Sequence, residues 1–341
     1  MLTNIPDNKD LSSDKNITKI NFFKKWEFLL FIILILVLLV DYIISPQLFI
    51  INNLASATIS FMERSIIAIP LGLLIMTGYI DISVASIAAL SSVMLAYTWK
   101  MGFPFWLSIV IGFATGTIAG LINGLLTTKV KIPSLVATLA NLILYSGICS
   151  VLLGDEAIGN FPKNFGYFGG SYSLLPVPNS LIIFFMIAIV FGIILHFTTF
   201  GRSIYAIGNN ENAARYSGIA VDRIRIVLYT VTGFVCALSG ILYTSRVSNV
   251  RSDMLEGAEL GVITIVLLGG VYIFGGRGSI IGIILAVFSI GFIQYTLRLI
   301  NIKDVVISIV TGCLLIITLL IPRFNDSIKD FRMKKRFLQK R

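Results

Sequence analysis

Long apolar segments separated by short polar interruptions run through most of this chain, from near Phe28 to Pro322. A transmembrane helix needs about 20 consecutive, mainly apolar residues. The 341 residues therefore leave room for about ten such helices. The pattern predicts an all-α, polytopic integral membrane protein.

Composition supports lipid as the main solvent of the chain. Hydrophobic residues make up 56% of the sequence, charged residues 13%, and the mean hydropathy is +0.92. Too few polar residues remain to cover a soluble globule of this size. We expect a cytoplasmic N-terminal tail (1–26), one transmembrane domain (27–322) and a basic cytoplasmic tail (323–341). The formal charge of +10 does not indicate nucleic-acid binding, because the basic residues sit at the ends of apolar runs.

The apolar runs predict ten spans. They lie near residues 28–45, 65–80, 83–99, 105–127, 134–153, 176–197, 224–246, 257–275, 279–297 and 303–322. The stretch from Pro46 to Arg64 contains Asn52, Asn53 and Glu63. We therefore expect it to be a connector or an interfacial helix rather than a span.

Orientation follows from the basic residues, which are retained on the cytoplasmic side during insertion. With ten spans and both termini inside, 20 of the 27 lysines and arginines are cytoplasmic. The reversed arrangement would invert that ratio. Both ends are thus predicted to face the cytoplasm.

One span carries a regular glycine spacing. Gly112, Gly116, Gly120 and Gly124 recur every four residues along a single helix face. Such a ridge lets a second helix approach closely, which is a common basis of helix packing in lipid. We expect a helix contact here, with a groove lining a substrate path as the alternative.

Catalytic and metal-binding patterns are missing from the sequence. No GxxxxGK[ST] phosphate loop occurs, no Ser/His/Asp set or pair of carboxylates lies within one span, and Cys149, Cys236 and Cys313 form no CxxC pair. His196 stands alone. We expect no enzyme activity, no metal site and no cofactor in this chain; any ATP would be bound by partner subunits.

The largest predicted cytoplasmic loop, residues 199–223, has the pattern of a short helix. Asn209 or Asn210 can cap its N-terminus, Ala213 and Ala214 form a small face, and Gly218 can end it. A small-residue face suits docking into a groove of a soluble partner. An ordinary capped loop helix is the alternative.

Three signatures in this order resemble one family. They are this loop, the stretch Gly78-Tyr79-Ile80-Asp81-Ile82-Ser83-Val84, and Leu268-Gly269-Gly270 followed by Gly275-Gly276-Arg277-Gly278-Ser279. The chain is similar, from about Phe49 to Pro322, to the ribose-type sugar permeases of bacterial ABC importers. The resemblance implies a type II importer permease fold in the cytoplasmic (inner) membrane. It also implies a second permease subunit, cytoplasmic ATPase subunits and an extracytoplasmic substrate-binding protein. The second permease subunit could be identical or a relative.

Within the family, two segments resemble those of permeases that import autoinducer-2. They are Ile158-Gly159-Asn160-Phe161-Pro162 and Arg251-Ser252-Asp253. Ribose and rhamnose permeases share much of this pattern and remain alternatives. The family's usual Gly-Gly-Ile-Asp is Gly78-Tyr79-Ile80-Asp81 here, which departs at its second position. From another class, an ion-coupled secondary transporter would need more intramembrane charges than Asp41 and Asp81 supply.

The resemblance places ATPase coupling in the 199–223 loop, and polar residues of the spans are substrate-path candidates. The coupling residues are Gly201, Arg202, Gly208, Asn209, Asn210, Ala213, Ala214 and Gly218. The path candidates are Asp81, Ser83, Asn123, Asn141 and Gln294. Asp81 is expected at a helix break or facing protein or water, and Asp81 and Ser83 can instead cap the third span. The three amides can instead join helices.

Overall fold

The computed structural model describes residues 26–170, 172–174, 177–318 and 320, and over these the protein is mainly α-helical. The helices are α1 (Trp26–Ile44), α2 (Ile51–Ser65), α3 (Ala68–Met76), α4 (Val84–Lys100), α5 (Phe105–Thr128), α6 (Ser134–Leu153), α7 (Gly166–Gly170), α8 (Asn179–Phe197), α9 (Thr199–Asn209), α10 (Glu211–Tyr216), α11 (Val221–Val247), α12 (Ala258–Leu268), α13 (Ile280–Leu299) and α14 (Asp304–Thr318). A short antiparallel hairpin, β1 (Tyr172–Leu174) and β2 (Val177–Pro178), precedes α8. The predicted tails, 1–26 and 323–341, lie almost entirely outside the described residues.

Seven helices in the described part of the chain are long and apolar enough to cross a membrane, counting α2 and α3 as one continuous helix. Three shorter apolar helices, α4, α12 and α14, lie among them. The prediction of an all-α, polytopic membrane protein is confirmed.

The most extensive helix contacts join α4, α5 and α11. The α5 glycines face these neighbours, and a side chain at Gly120 would overlap the carbonyl oxygen of Tyr229. Gly233 on α11 faces Gly116 and Gly120 so closely that a side chain there would overlap the α5 backbone. The expected helix contact is therefore present, and the glycines allow it because they carry no side chain.

The prediction that the stretch from Pro46 to Arg64 is a connector or an interfacial helix rather than a span is wrong from Ile51 onward. Residues Ile51–Met76 form one apolar helical span, most of which is buried inside the protein. Glu63 is 1% exposed, and both of its carboxylate oxygens accept hydrogen bonds from Arg246 Nε, at 2.9 and 3.1 Å. Hydropathy alone did not identify this span, because the helix is surrounded by protein and Arg246 supplies a partner for the charge of Glu63.

The predicted span 257–275 is also shorter than expected. Helix α12 ends at Leu268, and the chain then turns through Gly270, Gly275 and Gly276, all with positive φ. Glycine adopts this backbone conformation without steric cost. The turn between α12 and α13 reaches the same end of the bundle as the break between α3 and α4, since Gly276 N donates to Met76 O at 2.9 Å.

Candidate functional site

The loop predicted as one helix contains two, α9 and α10, each capped by a side chain. Thr198 Oγ1 accepts from Gly201 N at 3.3 Å, and Asn210 Oδ1 accepts from Ala213 N at 3.0 Å. The prediction that Asn209 or Asn210 caps a helix is confirmed for Asn210. Gly218, with φ +81°, follows the end of α10, and Ile219 N closes the turn by donating to Ala214 O at 3.1 Å.

Helix α9 is wedged into the end of the bundle. A side chain at position 208 would overlap Met76 O and Gly276 N, and one at position 201 would overlap Leu195 O. Tyr205 Oη also donates to Gly278 O at 2.9 Å. Helix α9 therefore contacts the end of α3 and the α12–α13 turn at once.

Helix α10 has an inner and an outer face. Ala214 is buried against Ile207 and Val221, whereas its neighbour Ala213 is exposed. The expected small face made of both alanines is thus not formed. Tyr216 on the outer face is 93% exposed.

The remaining coupling candidates lie on or beside α9. Arg202 is exposed. Asn209 Nδ2 donates to Tyr205 O at 2.9 Å, within α9, and the Asn209 side chain lies beside Gly276. The predicted coupling residues are therefore brought together in the 199–219 segment, with only part of the segment facing outward.

An ion-pair cluster fixes α10 to the start of α11. Glu211 accepts from Arg215 on its own helix and from Arg225 on α11, and Arg215 also pairs with Asp222. The hydrogen bond from Arg225, reinforced by Arg215, holds the pKa of the Glu211 carboxyl below its ordinary value. Glu211 therefore carries its negative charge at neutral pH.

Arg225 continues this cluster into the break between α3 and α4. Its side chain is 3% exposed, Nη2 donates to Thr77 O at 3.1 Å, and its guanidinium lies 3.7 Å from the ring centroid of Tyr79. Sequence reasoning missed this residue. A signal was present in the sequence: Glu211 and Arg215 form an i, i+4 pair, and a second acid and base follow at Asp222 and Arg225.

Four of the five path candidates form one buried cluster. Asp81, Ser83 and Asn123 are fully buried and Asn141 is 5% exposed. The cluster is joined by hydrogen bonds from Ser83 N and Oγ to Asp81 Oδ1, from Asn123 Nδ2 to Asp81 Oδ2 and Ser83 Oγ, and from Asn141 Nδ2 to Asn123 Oδ1.

This cluster lies at the break between α3 and α4, as expected for Asp81. Asp81 accepts the Ser83 amide and so stabilises the turn that leads into α4. The Ser83 hydroxyl donates to Asp81 and does not cap α4. The expected side-chain cap on α4 is therefore absent, and Asp81 instead closes the turn before the helix.

Gln294 lies elsewhere, on the wall of a cavity of about 320 Å³ formed by α2, α12, α13 and α14. Its Nε2 donates to Thr311 Oγ1 at 3.2 Å. Arg64, which the sequence had suggested to lie outside the spans, also lines this cavity. Sequence reasoning missed Arg64 because Asn52, Asn53 and Glu63 made its helix look like a connector.

Comparisons with known proteins agree with this architecture. A profile of the family described as "Branched-chain amino acid transport system / permease component" matches residues 53–319. The protein named autoinducer 2 import system permease protein LsrD from Enterobacter sp. (strain 638) is 34% identical over 301 residues, covering 86% of this chain and 92% of its own length. The protein of the same name from Escherichia coli O9:H4 (strain HS) is 35% identical over 319 residues, covering 91% of this chain and 96% of its own.

No solved structure matches the chain. The family profile covers most of the chain, and the relatives align over nearly their whole length. The predicted resemblance to importer permeases is confirmed. The chain therefore belongs to the ABC importer permease family described as branched-chain amino acid transport system, permease component, and it is a transport component rather than an enzyme.

Proposed function

We propose that this chain is the membrane-spanning permease subunit of an ATP-driven importer for autoinducer-2. The observation that carries the proposal is the 199–219 segment. Its first helix is wedged between the α3 end and the α12–α13 turn, while its second helix presents Ala213 and Tyr216 to the outside. This arrangement suits a segment that is displaced by a soluble partner and transmits the displacement to the membrane spans.

The names of the relatives support autoinducer-2 as the ligand. The aligned proteins are named as autoinducer 2 import permeases and match this chain over 86–91% of its length. Ribose or rhamnose import by a related permease is the alternative within the family. All three ligands are small and hydroxyl-rich.

The partners follow from this role. Cytoplasmic ATPase subunits bind ATP and dock on the 199–219 segment, an extracytoplasmic binding protein delivers the ligand, and a second permease subunit, identical or related, completes the path. The chain resides in the bacterial cytoplasmic membrane with both termini inside. The distribution of basic residues supports this orientation, with 20 of 27 on the proposed inner side.

The proposed mechanism is alternating access. ATP binding in the partner subunits displaces α10, Arg225 passes the displacement to the break that holds Asp81, and α9 moves the α12–α13 turn. In this scheme Asp81, Ser83, Asn123 and Asn141 hold the break in one of two arrangements, and Gln294 contacts the ligand in its cavity.

Reconstitution with the partner subunits tests the function. Proteoliposomes containing this chain, the second permease and the ATPase subunits are given binding protein loaded with labelled autoinducer-2, ribose or rhamnose. We expect ATP-dependent uptake of autoinducer-2, abolished when the ATPase phosphate-loop lysine is replaced. Uptake that survives ATP depletion and collapses with an ion gradient would instead establish an ion-coupled secondary transporter.

Surface labelling tests the orientation separately. Ser217 is exposed beside the end of α10. In a variant with the three native cysteines replaced by alanine, Ser217→Cys should react with an impermeant maleimide in inside-out vesicles and not in intact cells. Labelling from outside the cell would contradict the docking proposal.

A further inference from the structure

The cavity that contains Gln294 has a wall with many polar side chains. Its polar lining includes Ser60, Arg64, Ser65, Gln294, Ser308 and Thr311. Its volume of about 320 Å³ lies at the lower end of the range of about 300–1,000 Å³ for small-molecule sites. The size fits a compact ligand rather than a lipid tail or a peptide.

Arg64 is a partly buried charged group of this wall that has no hydrogen-bond partner among the described residues. Among the described residues its guanidinium donates no hydrogen bond and forms no ion pair, and its Nε is buried without a partner. Its neighbour Glu63 pairs with Arg246, and the guanidinium of Arg64 lies 5.5 Å from the ring centroid of Tyr243. A charged side chain at the bilayer centre costs about 2.5–3.5 kcal/mol on insertion scales unless other groups or water compensate it. Arg64 has the charge of its neighbour Glu63 and the Tyr243 ring nearby but no hydrogen-bond acceptor, so its guanidinium is available to a ligand in the cavity.

The amide and hydroxyl groups complement this donor. Gln294 uses Nε2 to reach Thr311 Oγ1, which leaves its carbonyl oxygen able to accept a hydrogen bond from a ligand. A guanidinium group carries five N–H donors in a planar fork, so one arginine can donate to more than one ligand oxygen. Donors and acceptors thus face the same space.

The formal charges of the cavity favour a neutral ligand. Arg298 is paired with Asp304 at 3.1 Å, and Glu256 on the same wall balances the charge of Arg64 without contacting it. A phosphorylated ligand would add negative charge to a cavity in which Arg64, Arg298, Glu256 and Asp304 already balance. A neutral, oxygen-rich molecule makes the hydrogen bonds without changing that balance.

We propose that Arg64, together with Gln294, binds a neutral polyhydroxylated ligand in this cavity and so determines which molecule the permease passes. The inference rests on the proposed import function. It identifies the residues and the ligand chemistry of one binding site on the substrate path. Arg64 stabilises the ligand there by donating hydrogen bonds from its guanidinium.

Uptake measured against ATP consumption tests the proposal in the reconstituted complex. In Arg64→Met we expect ligand uptake to fall at least tenfold while ATPase activity stimulated by loaded binding protein stays within about twofold of the parent. Arg64→Lys should restore part of the uptake. Arg251→Met is the matched control, because this exposed arginine pairs with Asp253 away from the cavity, and it should keep the parental number of ligands moved per ATP.

The competing outcomes are distinct. Arg64→Met importing at the parental rate overturns the ligand-binding role and leaves the import function intact. If the parental complex imports neither autoinducer-2 nor ribose nor rhamnose, the proposed function itself fails. A phosphorylated analogue that inhibits the parent better than the neutral ligand overturns the charge argument.

Two further variants keep the proposal testable if Arg64→Met fails to assemble. Arg64→Lys retains the charge, and Gln294→Leu retains the volume of its side chain, so both should assemble. Both should move at least threefold fewer ligands per ATP. Unchanged ligand-per-ATP ratios in both variants would overturn the proposal.

Discussion

Arg225 Nη2 lies 2.9 Å from Glu211 Oε2, although the two residues belong to different helices and only the arginine is buried. The same nitrogen donates to Thr77 O at 3.1 Å. One guanidinium thus joins the helix proposed to meet the ATPase to the break that contains Asp81. Movement of α10 must therefore either carry Arg225 along, which displaces its hydrogen bond to Thr77, or break the hydrogen bond between Arg225 and Glu211.

Replacing Arg225 should uncouple ATP hydrolysis from transport. A hydrogen bond to a charged group contributes about 1.5–3 kcal/mol, and 1.4 kcal/mol corresponds to a tenfold change. We expect Arg225→Met to lower uptake at least tenfold while copurification with the ATPase persists, and Arg225→Lys to recover part of it. Arg223→Met, an exposed arginine two residues earlier, should behave as the parent. Normal uptake by Arg225→Met would show that this link carries no coupling.

The anchoring of α10 should not depend on pH near neutrality. The pKa of Glu211 is lowered first by the hydrogen bond from Arg225, so the stabilisation is present above the ordinary value of 4.5 and is lost only as the pH falls through the lower folded-state pKa. Hydrogen exchange of the α10 amides, corrected for intrinsic rates, should be equal at pH 7.5 and pH 5.5. A marked loss of protection at pH 5.5 would contradict this sign.

Glu211→Gln imitates the protonated carboxyl at every pH. Because Glu211 is partly exposed, solvent screens the interaction, and such pairs contribute about 0.2–1 kcal/mol. The α10 amides of this variant should exchange up to about fivefold faster at pH 7.5. Amides of α6, which forms no ion pair with this cluster, serve as the internal reference and should keep their parental rates.

A bulky residue at Ala213 should block docking without disturbing the fold. Ala213 is exposed and points away from the bundle, whereas any side chain at Gly218 strains a backbone with φ +81°. We expect Ala213→Phe to insert normally and to lose at least tenfold in affinity for the ATPase subunits. Ala140→Phe, an exposed alanine on α6, is the control. Parental ATPase binding by Ala213→Phe would exclude the outer face of α10 as the contact.

The α5 glycine ridge should be intolerant of side chains. Gly120→Leu forces the side chain into the backbone of Tyr229 and Gly233, so α5 and α11 must separate. Overpacking of this kind costs about 1–3 kcal/mol or more. We expect a lower yield of folded protein and a lower thermal unfolding temperature in detergent. Gly147→Leu on α6, where nothing lies within 4 Å, should match the parent in both measurements.

Local patterns determined much of this protein. Apolar runs identified most spans, because a helix that contacts lipid must be apolar along that surface over the thickness of the bilayer. The four-residue spacing of Gly112 to Gly124 identified a packing face, since that spacing places residues on one side of a helix. The cap at Asn210 depends on neighbours three residues away and was visible for the same reason.

Long-range pairing decided the rest. Glu63 became acceptable inside a span only through Arg246, 183 residues later, and Asp81 through Asn123, 42 residues later. The same holds for the link from Arg225 to Thr77, for the separation of Ala213 from Ala214 and for the exposure of Arg64 to a cavity. A sequence shows the polarity of each side chain, but the cost of a charge depends on which groups surround it, and those groups come together only when the helices pack.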